Sequence, residues 1–138
     1  MAGARKELKF QDHIIDSYKL AGGHARKWAT DLQVGMPDLI CALPILGVHL
    51  VEVKHRPDWK IGAPYANPLS IKQKLEAVKY SNAGGCVFGM VVVGSEDAVG
   101  SHLVIFDPTA AAISTTTHVA YALGRKYNIN RLLREAMK

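Results

Sequence analysis

Two short apolar segments rich in branched residues follow one another between residues 38 and 54, separated by a loop that holds Pro44 and Gly47. Branched residues favour strands, and proline and glycine between two such runs favour a turn. The pattern predicts a β-hairpin with strands over 38–43 and 48–54. Charged side chains lie at the ends of both strands, where burial is costly unless they are paired or bind an ion. The hairpin therefore constrains the fold and marks a candidate site.

The other segments predict an α/β domain. Helical patterns and caps mark three segments, which are 5–20, 70–82 with Ser70 as N-cap, and 130–137 with Asn130 as N-cap. Apolar runs mark strands at 86–94 and 102–106, and 24–29 is a candidate for a first short strand. The proline-rich segment 55–68 predicts a long loop. This order predicts a mixed central β-sheet flanked by helices, with 1–138 as one domain.

Composition limits the class of protein. The chain has 138 residues and a net charge of +5, which favours a polyanionic partner such as DNA. Its only cysteines, Cys41 and Cys86, lie in apolar runs and predict buried free thiols rather than a zinc finger. The N-terminus lacks the apolar core of a signal peptide, and no apolar run is long enough to cross a bilayer. We therefore expect a cytoplasmic protein that does not bind a membrane.

The charged residues of the hairpin predict a metal site. Side chains alternate along a strand, so Glu52 and Lys54 share one face, and Asp38 begins the neighbouring strand. Mg²⁺ prefers oxygen ligands, which Asp38, Glu52 and the carbonyl of Val53 could supply. Lys54 would orient a water or stabilise negative charge on a phosphate. The alternative is a strand end with an exposed Glu and Lys.

The order of these motifs resembles the PD-(D/E)XK nuclease superfamily, and within it the VRR-NUC group and its Holliday-junction-resolvase relatives. The resemblance covers about residues 5–94. Its motifs in chain order are Glu7 and Gln11 before Gly22-Gly23, Gly-x-Pro-Asp-Leu-Ile at 35–40, Glu52-Val53-Lys54, and Gln73 before Gly84-Gly85. The resemblance implies a restriction-endonuclease-like αβββαβ core.

The resemblance also implies an activity. We expect a Mg²⁺-dependent endodeoxyribonuclease, with Mn²⁺ able to substitute, that hydrolyses phosphodiesters in branched DNA as a Holliday-junction resolvase. Two symmetric cuts suit a homodimer, and the small chain suits a phage or other mobile element. The alternatives are a nuclease that acts on flaps, nicks or duplex DNA in repair or restriction, and a nucleic-acid-binding module without catalysis.

Two further site residues follow from the resemblance. Glu7 would be an additional metal ligand, directly or through water; alternatively, it is a solvated residue near a helix N-terminus. Gln73 lies off the apolar stripe of Ile71, Leu75 and Val78, and the resemblance implies that it orients the water or the phosphate. That stripe predicts the core-facing side of the second helix, and a surface glutamine is the alternative.

Candidate DNA contacts lie on both sides of these motifs. The predicted loop carries Arg56, Trp59 and Lys60, a mixture suited to gripping a backbone and stacking on unpaired bases. Alternatively, Trp59 covers the core. Basic surface near the site would come from Arg26, Lys27, Lys72 and Lys74, although charge runs often form solvated faces.

Overall fold

The computed structural model describes residues 2–28, 37–44, 46–94, 101–115, 119–123 and 126–136, and the side chains within these ranges except those of 2–8, 119–126 and 136. The helices are α1 (Ala2–Leu20), α2 (Ile71–Asn82) and α3 (Ile129–Ala136). The strands are β1 (His24–Lys27), β2 (Leu39–Leu43), β3 (Gly47–Arg56), β4 (Pro64–Ala66), β5 (Val87–Gly94), β6 (Ser101–Phe106), β7 (Ala112–Ser114), β8 (Val119–Leu123) and β9 (Lys126–Tyr127). None of the described helices is long and apolar enough to span a membrane.

A seven-stranded mixed sheet forms the centre of the molecule, in the order β1-β2-β3-β5-β6-β8-β9. The predicted hairpin is present, with β2 and β3 antiparallel and Leu39 opposite Val51. β3 and β5 are parallel because the chain between them crosses over through α2, and Lys54 lies opposite Val91. The αβββαβ order and mixed sheet predicted from the sequence are confirmed.

One face of the sheet packs against α1. Phe10, Ile14 and Tyr18, at helical spacing, are fully buried in the main core cluster. The Tyr18 hydroxyl also lies 2.6 Å from Nε2 of His49 on β3, while His49 Nδ1 lies 3.0 Å from the Gly47 carbonyl. A carbonyl only accepts, so Nδ1 carries the proton and Tyr18 donates to Nε2. This contact fixes α1 to β3.

The opposite face of the sheet carries Glu52 and Lys54 and is covered in part by residues 57–70, which we call the insertion segment. The predicted loop over 55–68 is wrong at both its start and its interior. β3 continues to Arg56, and β4 pairs in antiparallel fashion with β7 in a small second sheet. The prolines misled the sequence interpretation, because proline tolerates an edge strand such as β4.

Two buried polar side chains hold the insertion segment in place. Asn67 donates to the carbonyls of Pro108 and Ala110, at 3.0 and 2.8 Å. The Thr115 hydroxyl accepts from the backbone N–H groups of Gly62 and Ala63, at 2.9 and 3.1 Å. Its oxygen also lies 2.7 Å from the Ala63 carbonyl, to which it donates. The segment is therefore an ordered part of the fold rather than a free loop.

The orientation of α2 differs from the sequence expectation. Ile71, Leu75 and Val78, predicted to face the core, are 76%, 56% and 38% exposed. Ala77 is the buried residue of this helix, and Gln73 is half-buried on the side that faces the sheet. The physical reason is the polar character of the sheet surface near the start of α2, where Glu52 accepts a hydrogen bond from Gln73.

The N-cap of α3 also differs from the expectation. Asn128, rather than Asn130, accepts from the backbone N–H of Arg131 at 3.1 Å. The Asn130 amide instead donates to the Ala21 carbonyl at the end of α1, at 3.2 Å. The two asparagines are both good caps, so the tertiary contact decides between them. The short strands β7, β8 and β9 were not predicted at all.

We expect Thr115→Val to lower the free energy of unfolding by about 1–3 kcal/mol, because two partly buried backbone N–H groups lose the acceptor that the buried Thr115 hydroxyl provides. Urea unfolding would measure the loss. The matched control is Thr109→Val, since the exposed Thr109 hydroxyl donates only to Asp107. That control should change stability by no more than about 0.5 kcal/mol. Equal effects of the two substitutions would contradict a structural role for Thr115.

Candidate active site

Asp38 lies at the point where the pairing of β2 with β3 ends. The last pair is Leu39 with Val51, and one further step along this register places Asp38 opposite Glu52. The Oδ2 atom of Asp38 accepts from the Val53 backbone N–H at 2.7 Å. The Val53 N–H would otherwise donate to a backbone carbonyl of the strand beside it, and here it donates to the Asp38 side chain instead. This hydrogen bond holds the Asp38 carboxylate at the end of the β2–β3 pairing.

The Val53 carbonyl faces the same edge of β3. A strand residue directs its N–H and C=O to the same side, and the N–H of Val53 points toward Asp38. The Val53 side chain, 1% exposed, is buried on the α1 face, so only its backbone contributes here. Oxygen atoms of Asp38, Glu52 and the Val53 carbonyl therefore lie where the pairing of β2 with β3 ends.

Glu52 is a buried carboxylate in a polar but incompletely satisfied position. It is 1% exposed, and its Oε2 accepts from Gln73 Nε2 at 3.2 Å. Its Oε1 has no hydrogen-bond donor among the described residues. The neighbouring residue on β5 is Gly89, whose missing side chain leaves room for the Phe106 ring. The Phe106 ring therefore lies over Gly89, the residue paired with Glu52.

Burial and the negative charge of Asp38 control the protonation of Glu52. Burial, then the charge of Asp38 and a hydrogen bond with it, raise the pKa of Glu52 to about 9, and Lys54 offsets only part of the rise. Without a cation, Glu52 therefore holds a proton at neutral pH. Asp38 and Glu52 could together hold a divalent cation, whose positive charge would replace that proton.

The donor set fits a hard divalent cation. Mg²⁺ is usually held by one or two carboxylates, with waters and substrate phosphates filling the other positions. Asp38 and Glu52 match that description. The part of the chain that the structure describes holds no group of three or more His, Cys, Asp or Glu side chains that could bind a metal. Such a larger, closed site is typical of structural zinc instead.

Gln73 reaches the site from the first turn of α2. Its backbone N–H donates to Ser70 Oγ at 3.2 Å, and its side-chain carbonyl accepts from the Ser70 backbone N–H at 2.9 Å. These two bonds form a capping box. With the amide oxygen engaged by Ser70, the amide nitrogen is the group that faces Glu52.

Lys54 lies two residues after Glu52 on the same strand face and is half-buried. It lies close enough to Glu52 to lower that residue's pKa in part. The structure thus brings Asp38, Glu52, Lys54 and Gln73 into one neighbourhood. Glu7 belongs to α1, but its side chain lies outside the described residues, so its predicted role as a ligand stays a prediction.

The predicted DNA contacts are distributed over different surfaces. Arg26 pairs with Ile40, and Ile40 pairs with Leu50, so Arg26 shares the sheet face of Glu52. Lys27 lies on the other face and forms an ion pair with Asp12 of α1 at 3.1 Å. The expectation that both residues lie beside the site is therefore corrected for Lys27, because successive strand residues point to opposite faces.

The remaining predicted contacts come from α2 and the insertion segment. Lys72 is exposed and Lys74 half-buried, and they flank Gln73 in sequence. Arg56 ends β3, and its guanidinium donates to the His55 carbonyl at 2.8 Å. Lys60 is exposed. These four residues add positive charge to α2, to the end of β3 and to the insertion segment.

Trp59 has a structural contact that its sequence position did not reveal. Its ring stacks on Tyr65, with centroids 4.1 Å apart and an interplanar angle of 3°. Trp59 also packs, partly buried, on the second core cluster beneath the insertion segment. One face of the Trp59 ring is therefore already occupied, as the alternative that Trp59 covers the core requires.

The sequence interpretation also missed the reciprocal hydrogen bonds between Ser70 and Gln73, although the Ser-x-x-Gln spacing at 70–73 signals a capping box.

No protein-family model matches the chain, and no curated protein matches it. A solved structure described as "VRR_NUC domain" is similar to it, with 29% sequence identity and a TM-score of 0.46, over 66% of this chain and 86% of that chain. The chain resembles a VRR_NUC domain. This is the group that the ordered motifs of the sequence resemble.

We expect the metal-free protein to become less stable as pH rises. The pKa of Glu52 is about 9 in the folded protein and 4.5 for an exposed glutamate, so the folded state binds more protons between these limits. The free energy of unfolding should fall in this window by up to about 1.4 kcal/mol per pH unit. Urea unfolding in EDTA at several pH values would measure the slope.

The matched control for this pH dependence is Glu52→Gln, which keeps the shape of the side chain and removes its titration. The slope should then largely disappear. Mg²⁺ should stabilise the wild type more at high pH than at low pH, because the ion competes with the Glu52 proton. The same slope in wild type and variant would contradict the assignment to Glu52.

Proposed function

We propose that this protein is a metal-dependent nuclease that hydrolyses phosphodiesters in DNA. The observation that carries the proposal is Glu52, a carboxylate that is 1% exposed, lies beside Asp38 and has one oxygen without a donor among the described residues. Two carboxylates held this close in a buried site repel each other unless a proton or a cation lies between them. A divalent cation held by Asp38 and Glu52 would act as a Lewis acid on a phosphodiester.

The residues proposed to hold the ion are Asp38, Glu52 and the Val53 carbonyl, with Glu7 as an additional candidate. Mg²⁺ is the expected ion, and Mn²⁺ should substitute because it also accepts oxygen ligands. The ion supplies Lewis-acid polarisation of the phosphate and activation of the attacking water.

The protein's own side chains would position the attacking water, stabilise the developing negative charge and bind the DNA backbone. The Lys54 ammonium lies on the same face as Glu52, where it would hold the attacking water in place and stabilise negative charge that develops on the phosphate. Asp38 accepts a hydrogen bond from the Val53 N–H, which would hold its carboxylate beside Glu52 for the ion. Arg26, Lys72 and Lys74 would contact the DNA backbone on either side of the scissile bond.

The same carboxylates argue against a module that binds nucleic acid without cleaving it. Phosphate and carboxylate repel each other, so Asp38 and Glu52 would weaken binding in the absence of a metal. Positive charge elsewhere on the molecule would bind a backbone without such a site. The pairing of the buried Glu52 with the half-buried Asp38 is therefore better explained by catalysis.

The finer proposal is a substrate of branched DNA, with resolution of four-way junctions as the specific reaction. Its support is the order of sequence motifs that resemble the resolvase relatives of the VRR-NUC group. Two symmetric cuts across a junction need two active sites, which a homodimer would provide. A nuclease that acts on flaps, nicks or duplex DNA is the runner-up.

We expect Lys54→Ala to slow DNA cleavage by at least about 100-fold, because a positive charge beside the reacting phosphate is lost. The measurement is cleavage of labelled DNA in Mg²⁺, Mn²⁺ or EDTA, with a four-way junction beside linear duplex, flap and single-stranded substrates. Lys19→Ala, an exposed lysine in the last turn of α1, is the matched control. It should cleave as the wild type does.

Each result of this assay decides one level of the proposal. Paired nicks in the junction alone, lost with Lys54→Ala or EDTA, would support a resolvase. Cleavage of every substrate would retain the nuclease and remove the specificity for junctions. Binding without cleavage of any substrate would overturn the nuclease proposal. Sedimentation of the protein with and without junction DNA would test the homodimer.

We expect Arg26→Ala to weaken DNA binding more than Lys27→Ala. The two residues are neighbours on β1, but Arg26 shares the face of Glu52 and Lys27 pairs with Asp12. Loss of one phosphate contact should reduce the slope of log affinity against log salt by about 1. Fluorescence anisotropy at several salt concentrations, in Ca²⁺ to suppress cleavage, would measure both slopes. A larger effect of Lys27→Ala would place the DNA on the α1 face instead.

A further inference from the structure

We propose that the capping box at the start of α2, formed by Ser70 and Gln73, positions the metal ligand Glu52. In this assignment Gln73 is a positioning residue, and Ser70 acts through Gln73. The inference rests on the proposed function, because it concerns the ion that Glu52 would bind. It replaces the role expected for Gln73 from the resemblance, which was to orient the water or the phosphate.

The first step is the reciprocal geometry of the cap. Ser70 has extended backbone angles, with φ −68° and ψ 163°, and its hydroxyl oxygen accepts from the Gln73 backbone N–H at 3.2 Å. In return, Gln73 Oε1 accepts from the Ser70 N–H at 2.9 Å. The backbone N–H and the side-chain oxygen of Gln73 are therefore both bonded to Ser70, so the Gln73 side chain has little rotational freedom.

The second step is the direction of the amide. A backbone N–H can only donate, so the atom of Gln73 that faces Ser70 must be the oxygen. The atom that faces Glu52 must then be the nitrogen, which lies 3.2 Å from Glu52 Oε2. The cap thus presents a hydrogen-bond donor to Glu52, and a donor favours the ionised carboxylate that binds a cation.

The third step is the way α2 is attached to the sheet. Ala77 is the buried residue of this helix, and its large apolar residues Ile71, Leu75 and Val78 are exposed. Apolar packing therefore fixes the start of the helix mainly through Leu69, the residue before the N-cap, which is buried in the second core cluster. The hydrogen bond from Gln73 to Glu52 joins two residues that are 21 positions apart in the chain, and it sets where Glu52 Oε2 lies. Glu52 Oε1 has no donor among the described residues, so this oxygen would be available to the ion.

The position of Gln73 also limits what else it can do. Its oxygen is engaged by Ser70 and its nitrogen by Glu52, so it has one remaining N–H for any further partner. Ligand-orienting partners of this kind commonly contribute about 10- to 100-fold to metal affinity. The effect of Gln73 on an ion should therefore pass through Glu52.

The experiment is a calorimetric titration of the full chain with Mn²⁺ in the absence of DNA, together with thermal unfolding in EDTA. The variants are Gln73→Met, which keeps the length of the side chain and removes its polar atoms, Ser70→Ala, Ser70→Thr, and the double variant Ser70→Ala/Gln73→Met. The control is Asn128→Ala, which removes the N-cap of α3 in another part of the chain.

We expect Gln73→Met to weaken Mn²⁺ binding by about 10-fold or more. Ser70→Ala should weaken it by a smaller factor, since the backbone N–H of residue 70 remains. Ser70→Thr keeps the cap and should restore the wild-type affinity. The double variant should bind no more weakly than Gln73→Met, because Ser70 acts through Gln73 and the effects are not additive. Asn128→Ala should lose stability with unchanged affinity.

Two results would overturn this inference alone. One is wild-type Mn²⁺ affinity in both Gln73→Met and Ser70→Ala, with only their stability reduced as in Asn128→Ala. The other is full additivity in the double variant, which would make Ser70 independent of Gln73. Absence of Mn²⁺ binding by the wild type would instead overturn both the inference and the proposed function, so the two failures are distinguishable.

Discussion

The 2.7 Å hydrogen bond from the Val53 N–H to the Asp38 carboxylate is the contact on which the site depends. It lies where the ladder between β2 and β3 stops, and it uses a backbone donor that would otherwise lose its partner. One acidic side chain thus completes the sheet and is also presented to Glu52. The same strand end therefore stabilises the fold and gathers negative charge, which a site without a cation holds only by keeping a proton on Glu52.

The two faces of the sheet follow different rules. The α1 face is a conventional core, in which Phe10, Ile14 and Tyr18 pack at helical spacing. On the other face, a second core cluster underlies the insertion segment, and hydrogen bonds of Gln73, Asn67 and Thr115 fix the positions of α2 and of this segment. Hydrogen bonds are directional, whereas apolar contacts are not. The face that must hold charged groups at set positions is accordingly one where hydrogen bonds supplement the apolar core.

The sequence predicted the features that depend on neighbouring residues and missed those that depend on distant ones. The hairpin and the Ser70 cap follow from local patterns, and both are present. The outward side of α2 could not be predicted, because its stripe of Ile71, Leu75 and Val78 has the spacing of a core-facing helix. The contact that decides its orientation joins residues 21 positions apart. The pairing of β4 with β7 is hidden for the same reason.

The anchoring of the insertion segment has a consequence for the order of folding. The Thr115 hydroxyl bonds to residues 52 and 53 positions earlier in the chain, and Asn67 bonds to residues 41 and 43 positions later. Closure of such long loops is slow compared with formation of a hairpin or a helix. During synthesis, β2, β3 and α2 emerge well before residue 115. The carboxylates can therefore assemble early, while the cover beside them is completed only after residue 115 has left the ribosome.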